Sequence, residues 1–219
     1  MNCNLEIESF KATIDVDPTT IFNIAVSEWF KRGGDATFLE THNLNKDSVV
    51  VDVGAYTGVW SEKINQKYNP NLIILEPVLK FRNLLNQKFK NHKNVTIIPY
   101  GLGEPGEYKI SLSEDGSSLF QSGNGQEEIV QIKSFYEFIN SNNISEIDLL
   151  QINIEGSEYD LLNQILESNI LNKIKKIQIQ FHLNVKDAVE KRDNLRKKLS
   201  KSYNEILNFP FVWEVWTLK

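Results

Sequence analysis

Apolar and polar positions follow two different periods along this chain, and the points where the period changes divide it into elements. Between Asp17 and Gly33-Gly34, residues Ile21, Ile24, Ala25 and Trp29 recur at helical spacing, with Phe22, Val26 and Phe30 widening the stripe. Asp17 suits an N-cap and Pro18 the first helical position, so a helix buried along that stripe is predicted. From Val49 the pattern changes. Val49-Val-Val-Asp52 is β-branched and continuously apolar, as a strand buried on both faces requires. A helix through Trp60, Ile64 and Lys67 ends before Pro70, and Leu72-Ile-Ile-Leu75 forms a second strand closed by Glu76-Pro77. Leu79 to Phe89 reads as a helix with Leu84, Leu85 and Phe89 inward, followed by a third strand, Val95-Thr-Ile-Ile98.

An irregular part comes next. Tyr108 to Leu112 and Glu128 to Ile132 alternate as half-exposed strands do and are expected to pair antiparallel. The stretch between them, Ser113 to Glu127, is rich in Gly, Ser and acids; so long a connection inside a compact domain is expected to be functional. The alternation then resumes: a helix over Phe135 to Ile139, a strand over Ile147 to Ile152, and a helix capped by Ser157 with Asp160 three residues on. Leu161, Leu162, Ile165 and Leu166 give that helix its core face. A strand from Ile174 to Phe181, a charged helix from Val185 to Leu199, and closing strands near Tyr203 to Leu207 and Val212 to Leu218 complete the chain. Repeated βα units force a parallel sheet with right-handed crossovers, and the tight Asn208-Phe-Pro link suits one antiparallel strand near the end. The fold class is therefore α/β and Rossmann-like, with residues 1–47 as a lead-in and 48–219 as the main unit of one structural domain.

Composition narrows the function classes. At 219 residues the chain can bury one substantial core. A net charge of −5 argues against a nucleic-acid scaffold, which wants a clustered basic surface. Cys3 is the sole cysteine, so no internal disulfide and no cysteine metal cluster can form. The first residues carry acids where a signal peptide needs an apolar run, and no stretch approaches the roughly 20 apolar residues of a membrane span. A reduced, cytoplasmic, soluble protein is expected.

In an open parallel sheet, ligands bind beyond the carboxyl ends of the strands, so the residues just after each strand carry the chemistry. The first such loop is Asp52-Val-Gly-Ala-Tyr-Thr-Gly58. Gly54 allows a sharp turn against a ligand, and Gly58 lets the next helix start close by. Asp52 stands where a phosphate site would avoid negative charge but where an ammonium group is welcome. Glu76 closes the second strand, the usual place for an acid that binds ribose hydroxyls. A dinucleotide fingerprint needs Gly-x-Gly-x-x-Gly, which Tyr56 and Val59 break, and no P-loop Gly-Lys-Ser/Thr follows. S-adenosylmethionine is left as the best-fitting cofactor. The later rim places Asn153, Glu155 and Glu158 after one strand and His182 at the end of another. The acids there can equally complement the positive end of the helix they enter.

These residues resemble the FkbM family of S-adenosylmethionine-dependent methyltransferases. The resemblance rests on Asp52 to Gly58, on Glu76-Pro77 with Asn86, on Gly101-Leu-Gly-Glu-Pro-Gly-Glu107, on Ser117-Ser-Leu119, and above all on Ile147-Asp-Leu-Leu-Gln-Ile-Asn-Ile-Glu-Gly-Ser-Glu158. It implies a class I methyltransferase fold with a mostly parallel seven-stranded sheet. Asp52, Gly54, Ala55, Tyr56, Gly58, Glu76, Pro77, Gly101 and Leu102 are then the expected cofactor-binding residues. It also implies O-methylation of a hydroxyl on a small-molecule, sugar, glycan or natural-product acceptor. The chain departs from the family where the last motif reads Lys-x-Asp-x-Glu-Gly, for it carries Gln151 and Asn153. An Asn can orient a hydroxyl but cannot take its proton. The general base is then sought among Glu155, Glu158 and His182, with His182 preferred and Asn153 as its orienting partner. No paired aspartates are placed to hold a metal, and none is expected. The alternatives are an S-adenosylmethionine-binding protein without catalysis, and a methyltransferase acting on lipid or protein. The run Lys191, Arg192, Arg196, Lys197, Lys198 and Lys201 reads as a solvated helix face, or else as a surface for an anionic acceptor such as a nucleotide-linked sugar.

Overall fold

A computed structural model describes residues 17–40, 42–113, 116–118 and 127–219. The expectations for Cys3, for the N-terminal residues and for most of the 113–127 stretch lie outside the described residues. Two helices, α1 (Pro18–Lys31) and α2 (Gly34–Glu40), lead into the strand β1 (Val49–Val53). Then α3 (Val59–Tyr68), β2 (Asn71–Leu75), α4 (Leu79–Phe89) and β3 (Val95–Ile98) follow in regular alternation. The irregular part holds β4 (Gly101–Leu102), β5 (Gly106–Ser113), β6 (Gly116–Ser118) and β7 (Glu127–Lys133). The last portion is α5 (Phe135–Ser141), β8 (Leu149–Ile152), α6 (Glu158–Glu167), β9 (Lys176–Ile179), α7 (Ala188–Leu199), β10 (Tyr203–Phe209) and β11 (Trp213–Leu218).

Seven strands form the main sheet in the order β10-β11-β9-β8-β1-β2-β3. All pairs among β9, β8, β1, β2 and β3 are parallel, whereas β11 runs antiparallel to both β9 and β10. The single reversed strand is the one that the tight link after Asn208 predicts. Strand order reverses at β1, where β2 lies on one side and β8 on the other, and there a ligand crevice opens. The excursion forms a second sheet, β4-β7-β5-β6, in which Tyr108 faces Val130 and Ile110 faces Glu128 across an antiparallel pair, as expected.

The core fits the buried-strand reading: Val50, Val51, Val53, Leu149, Leu150 and Ile152 are all fully buried. Asp17 caps α1 by accepting from the Thr20 N–H at 3.2 Å, and Pro18 takes the first turn. Three expectations change. Ile24 (49% exposed) and Phe30 (69%) do not join the core face of α1, because Phe22, Ala25, Val26 and Trp29 already span the side turned to β10 and β11. Leu84 is also exposed. The inner row of α4 is Phe81, Leu85 and Phe89, at the four-residue spacing that keeps one face, and Leu84 is rotated off it. Ser157 precedes α6 but makes no side-chain cap, since its own backbone is already helical and turns the hydroxyl away from the free N–H groups. Among the described residues no helix is long and apolar enough to cross a membrane.

Candidate active site

The loop after β1 begins with a sharp turn at Gly54, whose φ of 84° lies in the left-handed region. A Cβ there would stand 2.3 Å from the Asn153 carbonyl oxygen, so the absent side chain is what lets the loops after β1 and β8 touch. Glu76 fixes the other side of the loop. Its carboxylate accepts from the Tyr56 N–H and the Val78 N–H, each at 2.9 Å, so each oxygen keeps a lone pair for a ligand. Burial pushes Glu76 up to about 7, against the two N–H bonds that favour its charged form.

These loops enclose a cavity of about 310 Å³, within the range of small-molecule sites. Of the expected cofactor residues, Gly54, Tyr56, Glu76, Pro77, Gly101 and Leu102 line it. Ala55 and Gly58 do not line it; they close the turn through the Gly58 N–H, which donates to the Ala55 carbonyl at 2.8 Å. Asp52 is placed differently from the expected ammonium contact. It is buried, does not line the cavity, and accepts from the Ser61 hydroxyl of α3 at 2.5 Å. Burial raises it to about 7, with Ser61 opposing.

Beyond β8, Asn153 and Glu155 both line the cavity. The Asn153 Oδ1 atom is buried and accepts no hydrogen bond. Glu155, Glu158 and His182 come together as the sequence suggests, but with unequal access. Glu158 is fully buried; one oxygen accepts from the Gly156 N–H at 2.7 Å and the other from the His182 N–H at 2.8 Å. The same Glu158 oxygen lies 3.1 Å from His182 Nδ1, while His182 Nε2 lies 3.5 Å from Glu155. Burial pulls the His182 pKa down, but the bonds to Glu155 and Glu158 outweigh it and raise it to about 9. Glu155 is lowered, first through its bond with His182 and against burial. The ring is therefore a cation at neutral pH with both nitrogens facing carboxylates, and a free neutral base, as expected of it, is not what the geometry presents. Two more bonds fasten this rim: the Tyr159 hydroxyl donates to the His182 carbonyl at 2.8 Å and Asn184 Nδ2 to the Glu155 carbonyl at 3.1 Å.

Sequence reasoning missed the apolar half of the cavity, formed by Val78, Phe81, Ile110, Val130 and Ile132. The alternation in β5 and β7 carried the signal, since Ile110, Val130 and Ile132 share the inner face while Ile129 points out at 69% exposure. Among the described residues no three His, Cys, Asp or Glu side chains are grouped to hold a metal ion.

A parallel sheet with one reversed strand beside its last parallel one, and a glycine loop at its switch point, defines the class I methyltransferase fold. The chain belongs within that class to the FkbM methyltransferase domain family, whose model matches residues 52–209. No curated protein matches the sequence. Among solved structures, a protein from Clostridium thermocellum designated an rRNA methylase is similar at 10% identity and a TM-score of 0.53, over 85% of this chain and 96% of that one. A protein from Streptococcus mutans designated a methyltransferase, solved with S-adenosylhomocysteine, is similar at 12% identity and a TM-score of 0.51, over 80% and 91% of the two chains. Such likenesses support the fold. The cofactor of the family is S-adenosylmethionine. The cavity suits it: a carboxylate with free lone pairs for ribose hydroxyls, an unanswered buried acceptor at Asn153, and an apolar slot large enough for a flat ring.

Proposed function

We propose that the protein transfers the methyl group of S-adenosylmethionine to a hydroxyl oxygen of a small acceptor, a sugar, glycan or other natural product. The observation that carries this reading is the Asn153 Oδ1 atom, a buried acceptor without a partner on the cavity wall, with the Glu155 carboxylate on the same wall. An unpaired acceptor beside a carboxylate suits a ligand group that donates a hydrogen bond and then gives up its proton. A hydroxyl does both.

The bound cofactor supplies an electrophilic methyl group together with its own leaving group. The chain's residues then have three tasks. Glu76 accepts from the ribose hydroxyls and sets the position of the methyl group. Asn153 accepts from the acceptor hydroxyl and aims its oxygen at that methyl, an alignment that lowers the barrier by restricting orientation. Glu155 would receive the hydroxyl proton as methyl transfer proceeds, and its partly exposed carboxylate would pass that proton to water. A carboxylate held low is a weak base, so the proton leaves late. His182, kept charged between Glu155 and Glu158, holds the Glu155 carboxylate in place.

Three members of the basic run Lys191 to Lys201 are already engaged within the chain, which supports an acceptor other than nucleic acid. Arg192 is buried and bonds Glu214 and Asn208, Arg196 pairs with Glu205, and Lys198 pairs with Glu167. The test is methyl-labelled cofactor incubated with a panel of sugars, nucleotide sugars, alcohols and RNA, with the labelled product located by mass spectrometry. A methyl ether is expected, and Glu155→Gln should lower kcat by roughly a hundredfold or more while cofactor affinity holds. Label on nitrogen or carbon overturns the hydroxyl assignment, and label on RNA overturns the assignment of a small acceptor. Intact S-adenosylhomocysteine binding with no transfer to any acceptor favours a non-catalytic binding protein, the reading that Asn153 in place of the family acid would suit.

A further inference from the structure

We infer that the inserted four-stranded sheet is part of the cofactor site, closing the adenine side of the cavity with Ile110, Val130 and Ile132. The inference rests on S-adenosylmethionine as the cofactor, and it assigns to the excursion a role in holding it.

Strand order fixes which part of a ligand lies where. Along the carboxyl edge the sequence is β8, β1, β2, β3, with neighbouring strands roughly 5 Å apart. The polar groups Asn153, Glu155 and Gly54 follow β8 and β1, and Glu76 ends β2. A ligand whose ribose sits on Glu76 and whose charged amino-acid arm lies toward β1 and β8 must send its base the other way, beyond β2 and β3. The cavity residues described there are apolar. Pro77 and Val78 come from the β2–α4 turn, Phe81 from the first turn of α4, and Leu102 from β4. The facing wall comes from the second sheet.

Three observations tie that wall to the slot. Ile110 and Val130 are buried at 5% and 2% exposure, in one cluster with Val78 and Phe81. A Cβ on Gly101 would lie 2.7 Å from Ile132 Cδ1 and 3.5 Å from Pro77 Cγ, so Ile132 reaches across the loop after β3 toward Pro77. The sheet is anchored where it meets the slot, because Glu128 of β7 accepts from the Leu79 N–H at the start of α4, at 2.9 Å. A purine ring presents two flat apolar faces, and burying them between aliphatic side chains is the favourable term such a slot can supply. The polar half of the ligand gains nothing from these residues.

The test compares two ligands by titration calorimetry: S-adenosylhomocysteine, and adenosine, which lacks the amino-acid arm. Val130→Ala and Ile132→Ala should weaken both ligands by the same factor, roughly five- to tenfold for each variant. The milder Ile132→Val should show a smaller loss in the same ratio, which covers the case in which a larger truncation disturbs folding. Ile129→Ala, on the outer face of the same strand, should change neither affinity. Unchanged affinities with a raised KM for the methyl acceptor overturn the proposal and point to acceptor binding instead. A loss for S-adenosylhomocysteine without one for adenosine also overturns it, because the wall would then serve the amino-acid arm. Wild-type protein that is folded and binds neither ligand overturns the cofactor reading itself.

Discussion

His182 shows how a residue's neighbours decide its role. Its sequence position, at a strand end on the active rim, makes it an attractive base; two carboxylates make it a cation. Proton binding is tighter in the folded chain than in the unfolded one, so the stability it contributes is complete below about 6.5 and is lost as the pH rises through about 9. Urea denaturation at pH 6.5 and 9.5 should show wild type losing more stability across that interval than His182→Gln. Turnover gives an independent reading: with His182 as a charged positioning residue kcat falls above about pH 9, whereas a neutral His182 base would make it rise there. Glu76 works with the opposite preference, since ribose hydroxyls need its ionised form. S-adenosylhomocysteine affinity should therefore rise as the pH passes about 7, and Glu76→Gln should weaken binding and flatten that dependence. These residues could be chosen from the sequence because strand ends are legible. Their protonation was not, because it depends on burial and on contacts between Glu155, Glu158 and His182 that no spacing rule reports.

At the scale of elements, period and breakers placed most helices and strands, and α4 spans Leu79–Phe89 as predicted, whereas α2, β4 and β6 were not foreseen. Faces were read less well. Apolar residues in α1 outnumber the positions that β10 and β11 can cover, and sequence alone does not say which ones win. Trp29 does: it is 3% exposed, donates to Asp35 at 3.0 Å and meets Phe209 edge-on at 5.2 Å. Trp29→Ala should cost about 3–5 kcal/mol in denaturant unfolding, while Phe30→Ser should stay within about 0.5 kcal/mol. An equal cost at both positions would mean that α1 docks through another face. The excursion was seen as a strand pair, yet its inner face was not read as part of the site, since a two-residue alternation shows that one face is buried and not what it is buried against.

The whole molecule joins a mostly parallel sheet, which places acids and amides along one edge, to a small mixed sheet whose inner face lines the apolar end of the crevice. Part of its charge is internal. Glu214, 1% exposed, sits between Arg192 and Arg196, so the two arginines of α7 hold the C-terminal strands instead of facing a ligand. RNA retention near physiological salt is accordingly expected to be negligible, and a steep loss of binding with added salt would show an interface of phosphate contacts instead. The account depends most on the crevice at β1 being an S-adenosylmethionine site. Titration calorimetry of the folded protein with S-adenosylhomocysteine, with NADH as control and Glu76→Ala alongside, tests this directly. Saturable binding of S-adenosylhomocysteine alone, weakened in Glu76→Ala, is the predicted result; no binding, or binding indifferent to Glu76, would contradict it.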